Sequence, residues 1–434
     1  MLSNKRIFFF WIPLAATWLM MAVEGPLISA IIARLAVPKI NLAAFGVAFS
    51  LAVLVESPII MIMSASTALV KDKDSFFKLR NFTYFLNFIV TLIMLIVILP
   101  PVFDFVARTL IGLPVEVADL THKACIILLP WPGAIGFRRF YQGILIRNNL
   151  TRRVAYGTIV RVASVSFVSF FLYFFFKLEG AVVGAVALSV AVVLEAAATK
   201  WMARHAVHEI QHMEKPVYKD PLTYGYITKF YYPLALTSIL GLGVHPMVTF
   251  FLAKSRMAIE SLAVMPVIIS FVFIFRSLGL SFQEVGIALM GEKNKEYISL
   301  RNFAVYLAVG ASVGLALVSF TPMAVVWFHS VSGLSLELTR LAILPTRILA
   351  LIPGLTVMLA FMRSILVNNK RTKPITVATI IEVIGILTVL YLTIQVFDLV
   401  GAVAASLALI IGRFLADIYL IYPCSITLRS GPDN

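Results

Sequence analysis

Long apolar segments alternate with short polar connections along the whole chain. A helix needs about 20 mainly apolar residues to cross a lipid bilayer. The pattern predicts about twelve such spans, at 7–33, 42–70, 81–106, 119–146, 154–176, 180–203, 226–253, 258–290, 302–328, 337–367, 374–397 and 399–424. We therefore expect an all-α membrane protein with two lobes of six transmembrane helices, residues 1–203 and 226–434, joined by a cytoplasmic linker at 204–225.

The second half of the chain repeats the first in a nearly constant register. Matching residues lie 220 positions apart at the start of the repeat and 221 positions apart later on. The matches include prolines and loop residues, such as Pro13 with Pro233, Pro26 with Pro246, Pro132 with Pro353, Asn148 with Asn369 and Gly180 with Gly401. Loop residues and prolines rarely coincide in this way by chance. Internal duplication is a common architecture of transporters, and it argues that the first span belongs to the fold rather than to a cleaved signal peptide.

Composition indicates a membrane protein and points to no metal, disulfide or nucleic-acid site. The chain is 61% hydrophobic and 13% charged, and its mean hydropathy is +0.97. The net charge of +15 fits the positive charge of cytoplasmic loops better than nucleic-acid binding. Cys125 and Cys424 both lie in apolar segments, so we expect neither a disulfide framework nor a metal site from them. His208 and His212 have ligand-like spacing but lack an acidic partner motif, and we expect a solvated loop there.

Positive charge is concentrated in alternate connections. Lysine and arginine are frequent at 71–80, 147–153, 200–219, 293–301 and 370–373, whereas the other connections carry few. The positive-inside rule then places both termini in the cytoplasm. Because each lobe has six spans, the two lobes enter the membrane in the same orientation, and the crevice between parallel repeats is the expected substrate site.

Two polar residues stand beside duplicated prolines of the first span of each repeat. Glu24 precedes Gly25 and Pro26, and His245 precedes Pro246. A proline inside a helix leaves a backbone carbonyl without its hydrogen bond, here next to a polar side chain. We expect Glu24 and His245 to take part in ion or substrate binding.

Charged residues within spans are costly and usually face a cavity or a partner. Glu56 and Arg276 occupy the same repeat position, each near the middle of the second span, and we expect them to bind substrate or to form a gating salt bridge between the lobes. A purely structural bridge is the alternative. Arg138 and Arg347 are further candidates, because a guanidinium binds carboxylate or phosphate through two hydrogen bonds.

The remaining intramembrane charges have simpler expected roles. We expect Arg413 with Asp417 to neutralise each other, because they lie four residues apart on one helix. Glu195 is expected to pair with Arg161, and Glu382 with Arg347. Arg139 and Arg363 are expected to extend toward the membrane interface.

Several short runs resemble a known group of exporters. They are Ile12-Pro13-Leu14, Phe45-Gly46-Val47-Ala48-Phe49-Ser50-Leu51, Gly143-Ile144-Leu145 and Pro345-Thr346-Arg347-Ile348. Together with the two-lobe architecture, they resemble the MATE fold of the multidrug/oligosaccharidyl-lipid/polysaccharide exporter superfamily. The local sequence is most similar to the progressive ankylosis branch of that superfamily. The resemblance implies an exporter that alternates access by rocking its lobes, and for this branch it suggests small organic or phosphorylated anions as substrates.

The sequence therefore predicts a secondary active transporter of anions, with a multidrug or cation antiporter or a lipid-linked polysaccharide flippase as alternatives, and an ion channel as a weaker one. No glycine-rich phosphate loop is followed by lysine, so ATP hydrolysis and other enzymatic activity are not expected. Coupling to H+ or Na+ through Glu24 or Glu56 is compatible with their position. We expect a monomer without cofactor or metal, surrounded by membrane lipid, in the plasma (inner) membrane of a bacterium.

Overall fold

The computed structural model describes residues 2–148, 150–213, 222–291, 294–369 and 371–430. Its α-helices, in chain order, are α1 Asn4–Ile32, α2 Pro38–Glu56, α3 Ile62–Leu69, α4 Lys73–Val97, α5 Pro100–Asp104, α6 Val115–Ile127, α7 Trp131–Arg147, α8 Thr151–Phe175, α9 Gly180–Gln211, α10 Tyr224–Leu242, α11 Val244–Ala253, α12 Ala258–Leu280, α13 Phe282–Leu289, α14 Tyr297–Phe320, α15 Met323–Val325, α16 Leu336–Ile348, α17 Ile352–Asn368, α18 Lys373–Tyr391 and α19 Gly401–Ser430. β-Structure in these residues is limited to one bridge between Arg256 and Val400. The all-α prediction is confirmed.

Eleven helices or helix pairs in the described residues are long and apolar enough to cross a membrane. The predicted span at 119–146 is the exception, because it consists of the two shorter helices α6 and α7, separated by a turn at 128–130. Pro130 lies in this turn and Pro132 in the first turn of α7, and each lacks the backbone N–H that would continue a helix from α6. In the second repeat, a short 3-10 helix, Leu349–Leu351, lies at the matching place. The predicted multi-pass membrane protein is confirmed.

Side-chain caps fix where several helices begin. The Asp72 carboxylate accepts a hydrogen bond from the backbone N–H of Ser75 (2.9 Å), and the Ser75 hydroxyl accepts one from the backbone N–H of Asp72 (3.0 Å). This capping box satisfies two donors that the first turn of α4 would otherwise leave free.

The α9 helix continues to Gln211. The first part of the predicted linker, including His208, is therefore helical rather than a loop. Residues 214–221 of the linker lie outside the described residues.

The chain forms two compact units, one made of residues 35–249 and the other of residues 1–34 with 250–434. We call them the N-repeat unit and the C-repeat unit. The first helix of each repeat therefore packs in the unit that is otherwise built by the other repeat. The lobes predicted at 1–203 and 226–434 were defined by the sequence repeat. The two compact units are defined by packing and have different boundaries, so the predicted lobes stay a prediction.

Equivalent aromatic residues anchor the two exchanged helices. In the C-repeat unit, the Trp11 indole N–H lies 3.2 Å from the carbonyl oxygen of Leu278, and its ring contacts Phe303 edge-on at 6.1 Å between centroids. In the N-repeat unit, the hydroxyl of Tyr231 donates to the carbonyl of Pro58 (2.6 Å), and its ring contacts Phe82 at 5.6 Å. All three pairs of positions are related by the repeat register. The exchange of first helices is thus a symmetric feature of the fold.

The α1 helix is attached to the C-repeat unit along its length. The backbone N–H of Leu2 donates to Glu296 (2.6 Å) near one end, and the Arg34 guanidinium donates to the carbonyls of Ser330 and Val331 (2.7 and 2.8 Å) at the other. Between them, Gly25 lies so close to Ser270 that an added Cβ would be 2.7 Å from the serine Cβ. A larger residue than glycine would separate the two helices at this point.

Further contacts recur in both units. The Asn41 side chain accepts a hydrogen bond from the backbone N–H of Ala181 (2.9 Å), which caps α9, and Ser261 accepts from Ala402 (3.0 Å) at the start of α19. Each unit also contains a π-helical turn at the matching position, Phe105–Ile111 and Val326–Val331. The first turn is followed directly by Gly112 (φ 81°), and the second is followed by Ser332 and then Gly333 (φ 76°). The duplication inferred from sequence therefore extends to individual hydrogen bonds.

One close helix contact has its two residues exchanged between the units. In the N-repeat unit, Ser66 on α3 faces Gly143 on α7, and a Cβ on Gly143 would lie 2.6 Å from the Ser66 Cβ. In the C-repeat unit, Gly286 on α13 faces Ser364 on α17 at the same repeat positions. The serine hydroxyl binds an equivalent carbonyl in both units, that of Phe140 (2.8 Å) or Phe361 (2.7 Å). The contact needs one serine and one glycine, in either order.

We predict that Gly143→Ser alone destabilises the protein by about 1–3 kcal/mol, because it overfills this contact. Ser66→Gly combined with Gly143→Ser recreates the arrangement of the other unit and should recover most of the loss. Thermal unfolding of the purified variants in detergent measures both effects. If the double variant is no more stable than Gly143→Ser, the contacts are not interchangeable.

Candidate functional site

Most of the charged side chains that lie within spans gather in two clusters, one in each unit. The cluster in the N-repeat unit draws on α2, α7, α8 and α9, and we call it the Glu195 cluster. It comprises Glu56, Trp131, Arg138, Arg139, Gln142, Arg161 and Glu195. Four helices thus bring to one place residues that are up to 139 positions apart in the sequence.

Glu195 is the centre of this cluster and is only 1% exposed. Its carboxylate forms an ion pair with Arg138, lies 3.7 Å from Arg161, and accepts a hydrogen bond of 3.5 Å from the Gln142 side-chain amide. The predicted pairing of Glu195 with Arg161 is confirmed, although Arg138 is the closer partner. Because α8 and α9 meet at Gly157, whose added Cβ would be 3.3 Å from Thr199, Arg161 one turn later lies near Glu195.

Trp131 connects the two carboxylates of the cluster. Its indole N–H donates a hydrogen bond to the buried Glu56 carboxylate. The Arg161 guanidinium lies over the same indole ring, 5.3 Å from its centroid, which is within the range of a cation–π interaction. Glu56 is therefore held by a neutral donor, while a cation occupies the face of that donor's ring.

The Glu195 cluster carries more positive than negative charge. Its three arginines face two glutamates. Arg139 forms no ion pair with any described residue, and its contact is with the sulfur of Met63 at 3.6 Å. The buried Nε atoms of Arg138 and Arg139 and the side-chain oxygen of Gln142 have no hydrogen-bond partner among the described residues. The two guanidinium donors are satisfied when an acceptor with several oxygen atoms binds.

The cluster in the C-repeat unit draws on α12, α17, α18 and α19, and we call it the Glu382 cluster. It comprises Arg276, Arg363, Glu382, Arg413 and Asp417. Arg413 donates a hydrogen bond from Nε to one oxygen of Glu382 (2.8 Å), and its Nη2 forms an ion pair with the same oxygen at 2.7 Å. The pair forms where Gly385 and Gly412 allow α18 and α19 to approach closely. Arg363 donates to the Thr379 hydroxyl at 3.4 Å.

Two repeat positions carry opposite charges in the two clusters. Glu56 matches Arg276, 220 positions later, and Arg161 matches Glu382, 221 positions later. The helices that carry them correspond, since α2 matches α12 and α8 matches α18. The duplicated framework is thus kept while the sign of two buried charges is reversed.

The predicted site residues fall into three groups. The structure brings Glu56 and Arg138 together in the Glu195 cluster and places Arg276 in the Glu382 cluster. Glu24 is buried on α1, next to the Gly25–Ser270 contact, and His245 lies at the start of α11, where its carbonyl accepts from Thr249 (3.0 Å). Pro26 lies inside the continuous helix α1, whereas the second repeat breaks at Gly243, before Pro246.

Arg347 lies apart from both clusters. Its Nε donates to the carbonyl of Ser319 (3.0 Å), and its guanidinium lies over Phe320, 5.4 Å from the ring centroid. The expected pairs Arg347–Glu382 and Arg413–Asp417 are both wrong, because Glu382 takes Arg413 as its partner. A hydrogen bond to a carbonyl at the end of α14 gives Arg347 a structural contact there.

Sequence reasoning missed Trp131 and Gln142 as members of the Glu195 cluster, and it treated Arg139 as interfacial. Gln142 could have been found, because it lies one turn after Arg138 on the same helix. Trp131 could have been found only from its place beside the break between α6 and α7. In the described residues, no group of three or more His, Cys, Asp or Glu side chains could hold a metal ion.

Solved structures resemble the chain along nearly its whole length. A multidrug resistance MATE family transporter of the MOP superfamily in an inward-facing conformation is 15% identical, with a TM-score of 0.73, and the match covers 95% of each chain. A MOP superfamily transporter from Pyrococcus furiosus, described as having a binding pocket of reverse polarity, is 13% identical, with a TM-score of 0.64, over 98% of this chain and 96% of the other. The lipid II flippase MurJ is 14% identical, with a TM-score of 0.69, over 97% and 87%.

No protein-family model and no curated protein matches the sequence. Likeness at about 15% identity shows the fold alone, and the fold is that of the MATE-type transporters. The predicted fold class is therefore confirmed. The progressive ankylosis branch stays a prediction.

We predict that Trp131→Phe destabilises the protein by about 1–3 kcal/mol, because it leaves the buried Glu56 carboxylate without its donor. In a Glu56→Gln background the same substitution should cost less, since a neutral amide needs the donor less. A double-mutant cycle by thermal unfolding in detergent measures the coupling between the two side chains. Additive effects would show that the hydrogen bond contributes nothing to stability.

Proposed function

We propose that the protein is a secondary active transporter of the MATE-type superfamily that exports small organic or phosphorylated anions. The observation that carries the substrate class is the net positive charge of the buried Glu195 cluster. An uncompensated guanidinium is costly at this depth, and a bound anion would compensate it. The fold supports transport by alternating access.

Arg139 is the residue we expect to contact the anion most directly. Arg138 and Arg161 are already close to Glu195, whereas the hydrogen bond of Arg139 among the described residues is to the Met63 sulfur. Carboxylate and phosphate oxygens match the planar donor set of a guanidinium better than they match a lysine ammonium. Gln142 adds an amide oxygen that can accept from a hydroxyl group of an organic substrate.

The reversed charges at Glu56 and Arg276 support a proposal that the two take part in gating. Each occupies the same position of its repeat, so a motion that is equivalent in the two repeats moves these two residues in an equivalent way. We expect Glu56→Gln and Arg276→Gln each to impair transport, and Glu56→Arg combined with Arg276→Glu to recover part of it.

A lipid-linked polysaccharide flippase is the second candidate, and the likeness to a lipid II flippase favours it. A lipid pyrophosphate presents the same oxygen chemistry to Arg139 as a soluble phosphorylated anion does. A multidrug exporter of cations fits less well, because a cation would add to the excess positive charge of the Glu195 cluster. We further propose that the protein is a monomer in the plasma membrane of a bacterium and that both of its termini are cytoplasmic. Transport is coupled to H+ or Na+ in this proposal.

Uptake into inverted membrane vesicles tests the substrate class. We predict saturable uptake of citrate, a nucleotide or pyrophosphate, driven by a pH or sodium gradient. Arg139→Gln should raise the half-saturating concentration at least about tenfold, since a hydrogen bond to a charged group contributes about 1.5–3 kcal/mol. Arg152→Gln, which removes an exposed arginine at the start of the neighbouring helix α8, is the matched control and should leave uptake unchanged.

Two results would contradict this proposal. Gradient-driven uptake of a lipophilic cation, with no response to any anion, would support the multidrug alternative. Movement of a fluorescent lipid-linked pyrophosphate across the vesicle membrane, without uptake of soluble anions, would support the flippase.

A further inference from the structure

Asp417 is a buried carboxylate without a hydrogen bond. It lies on α19 and is only 6% exposed. Neither of its carboxylate oxygens has a hydrogen-bond partner among the described residues. Buried polar side-chain atoms normally have at least one hydrogen-bond partner. Within a membrane span, an ionised carboxylate in this state would be especially costly.

Charged residues surround Asp417, yet none bonds to it. Three of them act on it electrostatically: Arg413 on α19, Glu382 on α18 and Arg363 on α17. Arg276 on α12 and Arg347 on α16 lie on other helices packed against α19. Arg413, one turn away, uses its Nε and Nη2 for Glu382. Arg363 donates to Thr379, and its Nε has no partner among the described residues. Arg347 binds the Ser319 carbonyl.

This arrangement fits a neutral Asp417. An ionised carboxylate would compete with Glu382 for Arg413, whose position four residues earlier on the same helix is well placed for the bond. A protonated carboxyl does not compete, because it carries no charge. The observed pairing of Arg413 with Glu382, and the lack of any arginine hydrogen bond to Asp417 among the described residues, are what a carboxyl without charge predicts.

We propose that Asp417 is a proton-binding site, and that it releases its proton when a guanidinium of Arg413 or Arg363 moves onto it. In the release step, the carboxyl O–H bond breaks and the proton passes to water. The carboxylate that remains accepts hydrogen bonds from the arginine, and no electron transfer is involved. The matching position in the N-repeat unit is Ala196, so the two repeats differ at this site.

In a transporter, such a site would couple transport to a proton gradient. This use rests on the proposed function, whereas the proton site itself does not. It also moves the coupling residue from the predicted Glu24 on α1 and Glu56 on α2 to α19. A change in the pairing of Arg413 would link protonation to the packing of α18 against α19, the helices that meet at Gly385 and Gly412.

Infrared spectroscopy of the purified protein tests the site without any substrate. A protonated carboxyl group gives a C=O band that an ionised carboxylate lacks, and this band shifts when H2O is exchanged for D2O. At neutral pH in potassium chloride, we expect the wild-type spectrum to contain such a band and Asp417→Asn to lose it. Asp417→Glu should move the band rather than remove it, which guards against misfolding of the asparagine variant. Glu337→Gln, an exposed carboxylate of the same unit, is the control and should change nothing.

A second variant tests the release step. Glu382→Gln frees Arg413, which should then bind Asp417 as a carboxylate, so the band should weaken or disappear at the same pH. An unchanged band in Glu382→Gln would overturn the switch. A wild-type band that survives in Asp417→Asn would overturn the site itself, and loss of the band when sodium chloride replaces potassium chloride would show that the site binds sodium instead.

Discussion

An ionised side chain inside the membrane must have a counter-charge or hydrogen bonds, and the functional part of this protein is built around that requirement. Glu195 meets it with Arg138, Arg161 and Gln142. The geometry of four helices follows from this, since α7 and α8 must each bring side chains to the Glu195 carboxylate on α9. The α2 helix is tied to the group through Glu56 and Trp131. The arginines exceed the glutamates, and the excess is the basis for proposing an anionic substrate.

The two repeats agree in their framework and differ in their buried charges. The anchoring of the first helices by Trp11 and Tyr231 follows the same register in both units, and so do the caps by Asn41 and Ser261. Conserved contacts of this kind maintain a common fold. Charges that change sign on an otherwise common fold give the two units different chemistry.

Much of the fold could be predicted from the sequence, because apolar length and repeat register are local properties. The spans, the duplication and the importance of Glu56, Arg138 and Arg276 as intramembrane charges were all available from the pattern. The exchange of first helices was not, since an almost wholly apolar helix such as α1 carries no mark of the unit it packs against. The pairing of Glu382 was predicted wrongly for a related reason. Register identifies which positions correspond, whereas the partner of a long arginine side chain depends on how closely two helices approach, here at Gly385 and Gly412.

The central claim is that the Glu195 cluster binds an anion, and calorimetric titration of the purified protein in detergent tests it most directly. Citrate or pyrophosphate should bind saturably to the wild-type protein, with an affinity that falls as ionic strength rises, because the attraction is between charges. Binding should be at least about tenfold weaker in Arg139→Gln and unchanged in Arg152→Gln, while a lipophilic cation should give no binding heat. Saturable binding of the cation, or anion binding of equal strength in Arg139→Gln, would contradict the account.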